Sequence, residues 1–185
     1  MHASWPPNVS IYLDYNALNI PTGLNEQQAE ALCCVADSLA GPGTGGAPQM
    51  LLRGKNIALI YGPSNLEEDA SIFERAATGL GARVARIRSG DAGLTPGAEL
   101  IATARMLGRL YDAVECQGVD AEVVEQLAHH AGTVVYNAIG STSHQAFRQF
   151  DRMRHQAVAH AAGAAHDDHG CREAFIQAVL LSTLR

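Results

Sequence analysis

An apolar run at residues 56–61 and a Gly62-Pro63 break lead straight into Ser64-Asn65-Leu66-Glu67-Glu68-Asp69. Three consecutive carboxylates admit two kinds of chemistry. With Ser64 three positions before Glu67 they form a capping box, and acids in a first helical turn complement the positive end of the helix macrodipole. The same acids would also attract a cationic group or a metal ion. A second polar group is His155, His160, His166, His169 and Cys171. Its spacing fits no standard zinc-ligand motif, so this stretch reads as a solvated polar tail with no metal. His129-His130 falls where a helix should end, against the negative end of its dipole. Residues 41–46 lack the Lys-Ser/Thr that closes a phosphate-binding loop, which argues against a nucleotide.

Periodicity gives the elements that position these groups. Residues 1–23 read as an irregular leader. Residues 24–40 place Leu24, Ala31, Leu32, Val35 and Leu39 on one helical face, and residues 41–48 form a Gly/Pro linker. Short apolar runs at 56–61, 82–87, 113–116 and 133–136 then alternate with helical segments at 65–80, 97–110 and 122–131. Such alternation implies βαβ units and an α/β three-layer sandwich, a four-stranded parallel sheet with helices on both faces. Helices at 144–159 and 171–184 follow. The expected organisation is a leader, helix and linker (1–48), an α/β core (49–160), and a linker with a C-terminal helix that packs back on the core (161–185).

The 185 residues are 47% hydrophobic and 17% charged, enough for a real core. A net charge of -6 argues against nucleic-acid binding through released counterions. No signal peptide or bilayer-spanning run is visible, so no membrane partner is expected. Cys33, Cys34, Cys116 and Cys171 make no disulfide framework and read as reduced thiols of a cytoplasmic protein.

Leu51-Leu52-Arg53-Gly54-Lys55-Asn56-Ile57-Ala58-Leu59-Ile60-Tyr61 resembles the first strand of ornithine carbamoyltransferases and its approach. Phe73-Glu74, Ala76-Ala77 and Gly81-Ala82-Arg83-Val84 resemble the helix and strand that follow. Glu99 with Thr103-Ala104-Arg105-Met106-Leu107-Gly108-Arg109-Leu110-Tyr111-Asp112-Ala113 is similar to the family's most recognisable helix. Val123-Val124-Glu125-Gln126-Leu127-Ala128, Ala131-Gly132 and Val135-Tyr136-Asn137 continue the likeness, which covers about residues 50–153. Ile176-Gln177-Ala178-Val179-Leu180-Leu181-Ser182-Thr183-Leu184 is similar to the family's final helix. The resemblance therefore implies a carbamoyl-phosphate domain whose ornithine-binding partner domain has been deleted, with the last helix kept. Any amphipathic C-terminal helix would pack equally well.

In the resembled family, carbamoyl phosphate sits at a helix N-terminus, where backbone N–H groups and the dipole favour an anion. A Ser-Thr-Arg-Thr-Arg loop adds guanidinium forks that fit phosphate. Here Ser64, Asn65, Leu66, Glu67 and Glu68 fill that turn, and both arginines are missing. A second negative charge about 5 Å away costs on the order of 3 kcal/mol at an effective dielectric of about 20. Each lost charge-assisted hydrogen bond removes roughly 1.5–3 kcal/mol more. The family's basic residue after the third strand corresponds to Gln117. Of its His-Pro-x-Gln motif only His144 is kept, followed by Gln145 and Phe147.

The resemblance thus implies a vestigial carbamoyl-phosphate site with no catalytic residue and no cofactor. The expected role is structural, regulatory or as an oligomeric partner, in a homotrimer or a mixed oligomer with a full-length carbamoyltransferase. Two alternatives stay open. One is a divergent carbamoyltransferase using Ser64, Asn65 and His144, with Lys55, Arg83 or Arg105 reaching the phosphate. The other is a sensor that binds an amine or cation in the acidic turn.

Overall fold

The computed structural model describes residues 23–40, 50–62, 67–159 and 168–184. The leader up to residue 22, the linker at 41–49 and the capping residue Ser64 lie outside these ranges. The elements in chain order are α1 (Glu26–Ala40), β1 (Asn56–Tyr61), α2 (Glu67–Gly79), β2 (Arg83–Arg88), α3 (Ala98–Leu110), β3 (Ala113–Gln117), α4 (Ala121–Ala131), β4 (Val134–Asn137), α5 (Gln145–Ala159) and α6 (Asp168–Thr183). A 3-10 turn, Ser89–Asp91, follows β2.

All strands are parallel, in the order β2-β1-β3-β4. The architecture is the expected α/β sandwich, with boundaries displaced by one to three residues. Ile57, Leu59, Ala113 and Tyr136 face one cluster with Leu32, Phe73, Phe150 and Phe175. Ala58, Ile60, Val114, Cys116 and Val135 face the other, with Leu100, Leu107 and Leu127. So α1, α2, α5 and α6 cover one face and α3 and α4 the other. A strand buried on both faces must be apolar throughout, which is why β1 is Asn-Ile-Ala-Leu-Ile-Tyr with its four central residues buried. β2, at the sheet edge, instead carries Arg83, Arg86 and Arg88 on a half-exposed strand.

The buried stripe of α1 differs from the expected one. Ala29, Leu32 and Ala36 are its buried residues, while Ala31, Val35 and Leu39 are only half-buried. The helix packs against both α5 and α6, and two neighbours rotate the contact line away from a single-partner stripe. α6 packs on α1 and α2. Its Phe175 ring lies 5.6 Å from Phe147 and 5.3 Å from Phe150, and Thr183 Oγ1 lies 2.5 Å from the buried Tyr136 hydroxyl of β4.

α4 begins with the Asp120 carboxylate accepting from Glu122 N–H at 2.9 Å and ends at Gly132 in the left-handed region, φ 68°. Against it, α3 comes closest at Gly108, where an added Cβ would overlap the Ala131 carbonyl. Gly108→Ala should therefore force the two helices apart and cost about 1–3 kcal/mol, read as a lower thermal midpoint by circular dichroism. An unchanged midpoint would show that this crossing yields freely.

Candidate functional site

With strand order β2-β1-β3-β4, the chain crosses to opposite sides of β1, so the crossovers diverge at the carboxyl ends of β1 and β3. That switch point is where open α/β sheets place ligands. The walls are tight. Gly62 N–H donates to the Gln117 carbonyl at 2.7 Å, and a Cβ on Gly62 would lie 2.7 Å from the Gly118 carbonyl oxygen. After β4, Ala138 turns the chain at φ 57°, an uncommon conformation outside glycine. Its N–H donates to the Cys116 carbonyl at 2.9 Å. Ser141 N–H to Ala138 O (3.0 Å) and His144 N–H to Ser141 O (3.1 Å) continue the turn into α5.

Among the described residues, three polar side chains are buried at this edge: Glu115 and Gln117, each 0% exposed, and Arg172, 4% exposed. Gln117 Nε2 donates to Glu115 Oε1 at 2.5 Å, and the backbone N–H groups of Ile139 and Gly140 also serve the carboxyl. Burial nevertheless dominates and raises the Glu115 pKa well above its ordinary value. Among the described residues, Glu115 Oε2 and Gln117 Oε1 have no hydrogen-bond partner. A neutral, protonated carboxyl answers part of that deficit, because one of its oxygens then carries a hydrogen.

Arg172 enters from the first turn of α6. Its Nε donates to the Gly140 carbonyl at 3.1 Å, and Nη2 donates to both that carbonyl and the Asp69 carboxylate. Each acid of α2's first turn thus has a basic neighbour: Glu67 with Arg86 at 3.8 Å, Glu68 with His169 at 3.7 Å, and Asp69 with Arg172. The first two acids are well exposed and such pairs contribute little. The third is held inside. Gly140 is the meeting point, since a Cβ there would lie 2.7 Å from Gln117 Nε2 and 2.8 Å from the Asp69 carbonyl oxygen.

Of the residues expected at the site, Ser64, Asn65 and Leu66 lie outside the described residues. Glu67 and Glu68 open α2, Gln117 ends β3, and half-buried His144 precedes α5 with its ring centroid 6.3 Å from Phe175. The basic residues considered for phosphate are elsewhere. Lys55 pairs with Asp112 at 3.3 Å ahead of β1, Arg83 opens β2, and Arg105 is exposed on α3. The first two lie at the opposite end of the sheet. His129 and His130 occupy the last turn of α4, their centroids 4.7 Å apart. His160 and His166 fall outside the described residues; His155 Nδ1 lies 3.3 Å and Cys171 Sγ 3.4 Å from Asp151 Oδ1. Among the described residues no three ligating side chains converge as a metal site would require. At the same edge a cavity of about 470 Å³ opens between the carboxyl ends of β1 and β2 and the start of α2, lined by Tyr61, Gly62, Glu67, Arg88, Ser89, Gly90 and Asp91.

The profile of the aspartate/ornithine carbamoyltransferase, carbamoyl-P binding domain, matches residues 18–149. The chain belongs to this family. The catabolic ornithine carbamoyltransferase of Burkholderia mallei is 37% identical over 120 residues, covering 65% of this chain and 35% of that protein. The ornithine carbamoyltransferase of Cutibacterium acnes is 38% identical over 99 residues, 54% of this chain and 29% of that one. Among solved structures, ornithine carbamoyltransferase from Pyrococcus furiosus superimposes with a TM-score of 0.64 at 27% identity, over 77% of this chain and 45% of that one. The Thermus thermophilus enzyme gives 0.54 at 25%, over 65% and 41%. The chain thus spans about a third of the curated relatives it matches, and α6 lies beyond the segment matched by the family profile. Among the described residues no helix is long and apolar enough to cross a membrane.

Because its folded pKa is raised, Glu115 holds its proton more tightly folded than unfolded. The stability from this source is full below the ordinary carboxyl value of 4.5 and is lost as pH rises through the raised folded value. Glu115→Gln fixes the neutral form. Its thermal midpoint should match the parent's at about pH 4.5 and exceed it increasingly as the pH is raised from there. Parallel midpoint-versus-pH curves for the two proteins would contradict this assignment.

Proposed function

We propose that this chain is a carbamoyltransferase-family domain whose carbamoyl-phosphate site no longer captures the dianion. Its role is then structural or regulatory, as an oligomeric partner in arginine and ornithine metabolism. The observation that carries this reading is the charge at the switch point. The buried cation there, Arg172, is already answered by Asp69, and the other polar side chains buried among the described residues, Glu115 and Gln117, are not basic. Glu67 and Glu68 add negative charge at the helix end that would have to receive the phosphate.

α6 is read as the family's last helix, kept while the ornithine-binding domain between it and α5 is absent. Residues 160–167 are all that separate the two helices. Exposed Met106 and Leu110, one turn apart on α3, and Met50 and Leu51 ahead of β1 supply apolar surface for assembly with further copies or with a full-length carbamoyltransferase.

Calorimetric titration with carbamoyl phosphate tests the site directly. No binding is expected at millimolar ligand, and no citrulline from carbamoyl phosphate plus ornithine. Micromolar binding, or citrulline above background, would establish the divergent enzyme instead. Light scattering at micromolar protein should give a trimer, and a monomer there would remove the assembly role.

A further inference from the structure

We propose that the outer faces of α1 and α5 form a self-complementary surface on which a second copy of this chain docks about a two-fold axis, the acidic stripe of each copy meeting the basic stripe of the other. This contact is separate from the switch point and from the apolar surface discussed above.

The charged residues of α1 are all acidic: Glu26, Glu30 and Asp37. α5 is the reverse, with Arg148, Arg152 and Arg154 against Asp151, in a chain whose net charge is -6. The two helices pack against each other. Along their seam Asp37 and Arg154 pair at 3.3 Å, which leaves Glu26 and Glu30 on one helix and Arg148 and Arg152 on the other. All four are exposed. Each lies away from its helix's buried stripe, which is Ala29, Leu32 and Ala36 on α1 and Ala146, Phe147 and Phe150 on α5. Both pairs therefore point outward from the same layer.

Neither helix gains from this arrangement on its own. Residues four apart are neighbours on a helix surface, and like charges at that spacing repel. Glu26 with Glu30 and Arg148 with Arg152 are both such pairs. Arg148 also stands in the first turn of α5, at the positive end of the helix dipole, where it donates to the neutral Gln145 amide oxygen at 2.7 Å. Carboxylates brought to Arg148 and Arg152 relieve both conflicts, and the shared spacing lets one Glu pair meet one Arg pair in register. The stripes run side by side on one copy, so a two-fold axis between them satisfies both at once and closes the contact. Patches on opposite sides of the molecule would instead call for a ring or an open chain. Exposed ion pairs are individually weak and screened by salt. The contact is therefore salt-sensitive and forms at high protein concentration.

Sedimentation equilibrium at high protein concentration, in roughly 20 mM and roughly 0.5 M salt, brackets the range over which exposed charges are screened. The parent is compared with Arg148→Glu/Arg152→Glu and with Glu26→Lys/Glu30→Lys, each verified as folded by circular dichroism. At low salt the parent's mass should be about twice that of either variant, and at high salt it should fall to the variants' value. Each variant carries one sign on both stripes and repels its own copies. An equimolar mixture of the two restores opposite signs across both contacts and should recover the doubled mass. Where a reversal does not fold, Arg148→Gln/Arg152→Gln or Glu26→Gln/Glu30→Gln replaces it, and each should halve the parent's mass. A parent no heavier than the variants, a doubling that survives high salt, or a mixture that stays at the variants' mass would overturn the inference. Because mass is read as a ratio, the outcome is independent of whether the unit that pairs is the trimer proposed above or a single chain.

Discussion

A guanidinium withdrawn from water needs its charge answered within hydrogen-bonding distance, and the cost of leaving it unanswered is several kcal/mol. Arg172 meets that requirement by joining three elements distant in sequence: α6, which carries it, the first turn of α2 through Asp69, and the turn after β4 through the Gly140 carbonyl. The apolar contacts of Phe175 with Phe147 and Phe150 set how deeply α6 sits. The guanidinium sets its register along the sheet edge. Removing either charge from such a pair typically costs about 3–5 kcal/mol, mostly for the partner stranded without its counter-charge. Position and electrostatics at the switch point are therefore one constraint.

That constraint revises the meaning of the acidic turn. From sequence, Glu67-Glu68-Asp69 is a block of like charge at a helix start. In space the acids diverge, two toward the half-buried Arg86 and the exposed His169 and one inward to a buried arginine. The exposed pair remain ordinary helix-end acids. Asp69 alone changes the interior.

The fold could be read from the chain because the sheet is buried on both faces. Runs such as Ile57-Ala58-Leu59-Ile60 have no other stable place, and glycines such as Gly132 mark where helices stop. The turn at the carboxyl edge was legible as acidic, and Gln117 as an uncharged substitute. Glu115 was visible in the sequence as a carboxylate between Val114 and Cys116, a contradiction inside a buried strand that itself signals a special environment. Arg172 carried no comparable signal. It sits beside Glu173 in a polar first turn, and only the packing of α6 across α1 and α2 decides that it turns inward while Glu173 pairs with Arg75 at 2.8 Å. Long-range ion pairs have no periodicity to betray them.

Among the described residues the sheet ends on one side at β2, whose outer backbone groups have no neighbouring strand. An open parallel edge of that kind is a template on which another chain can add. Here the edge strand is Arg-Val-Ala-Arg-Ile-Arg. Charged side chains along an edge strand disfavour the addition of another chain there.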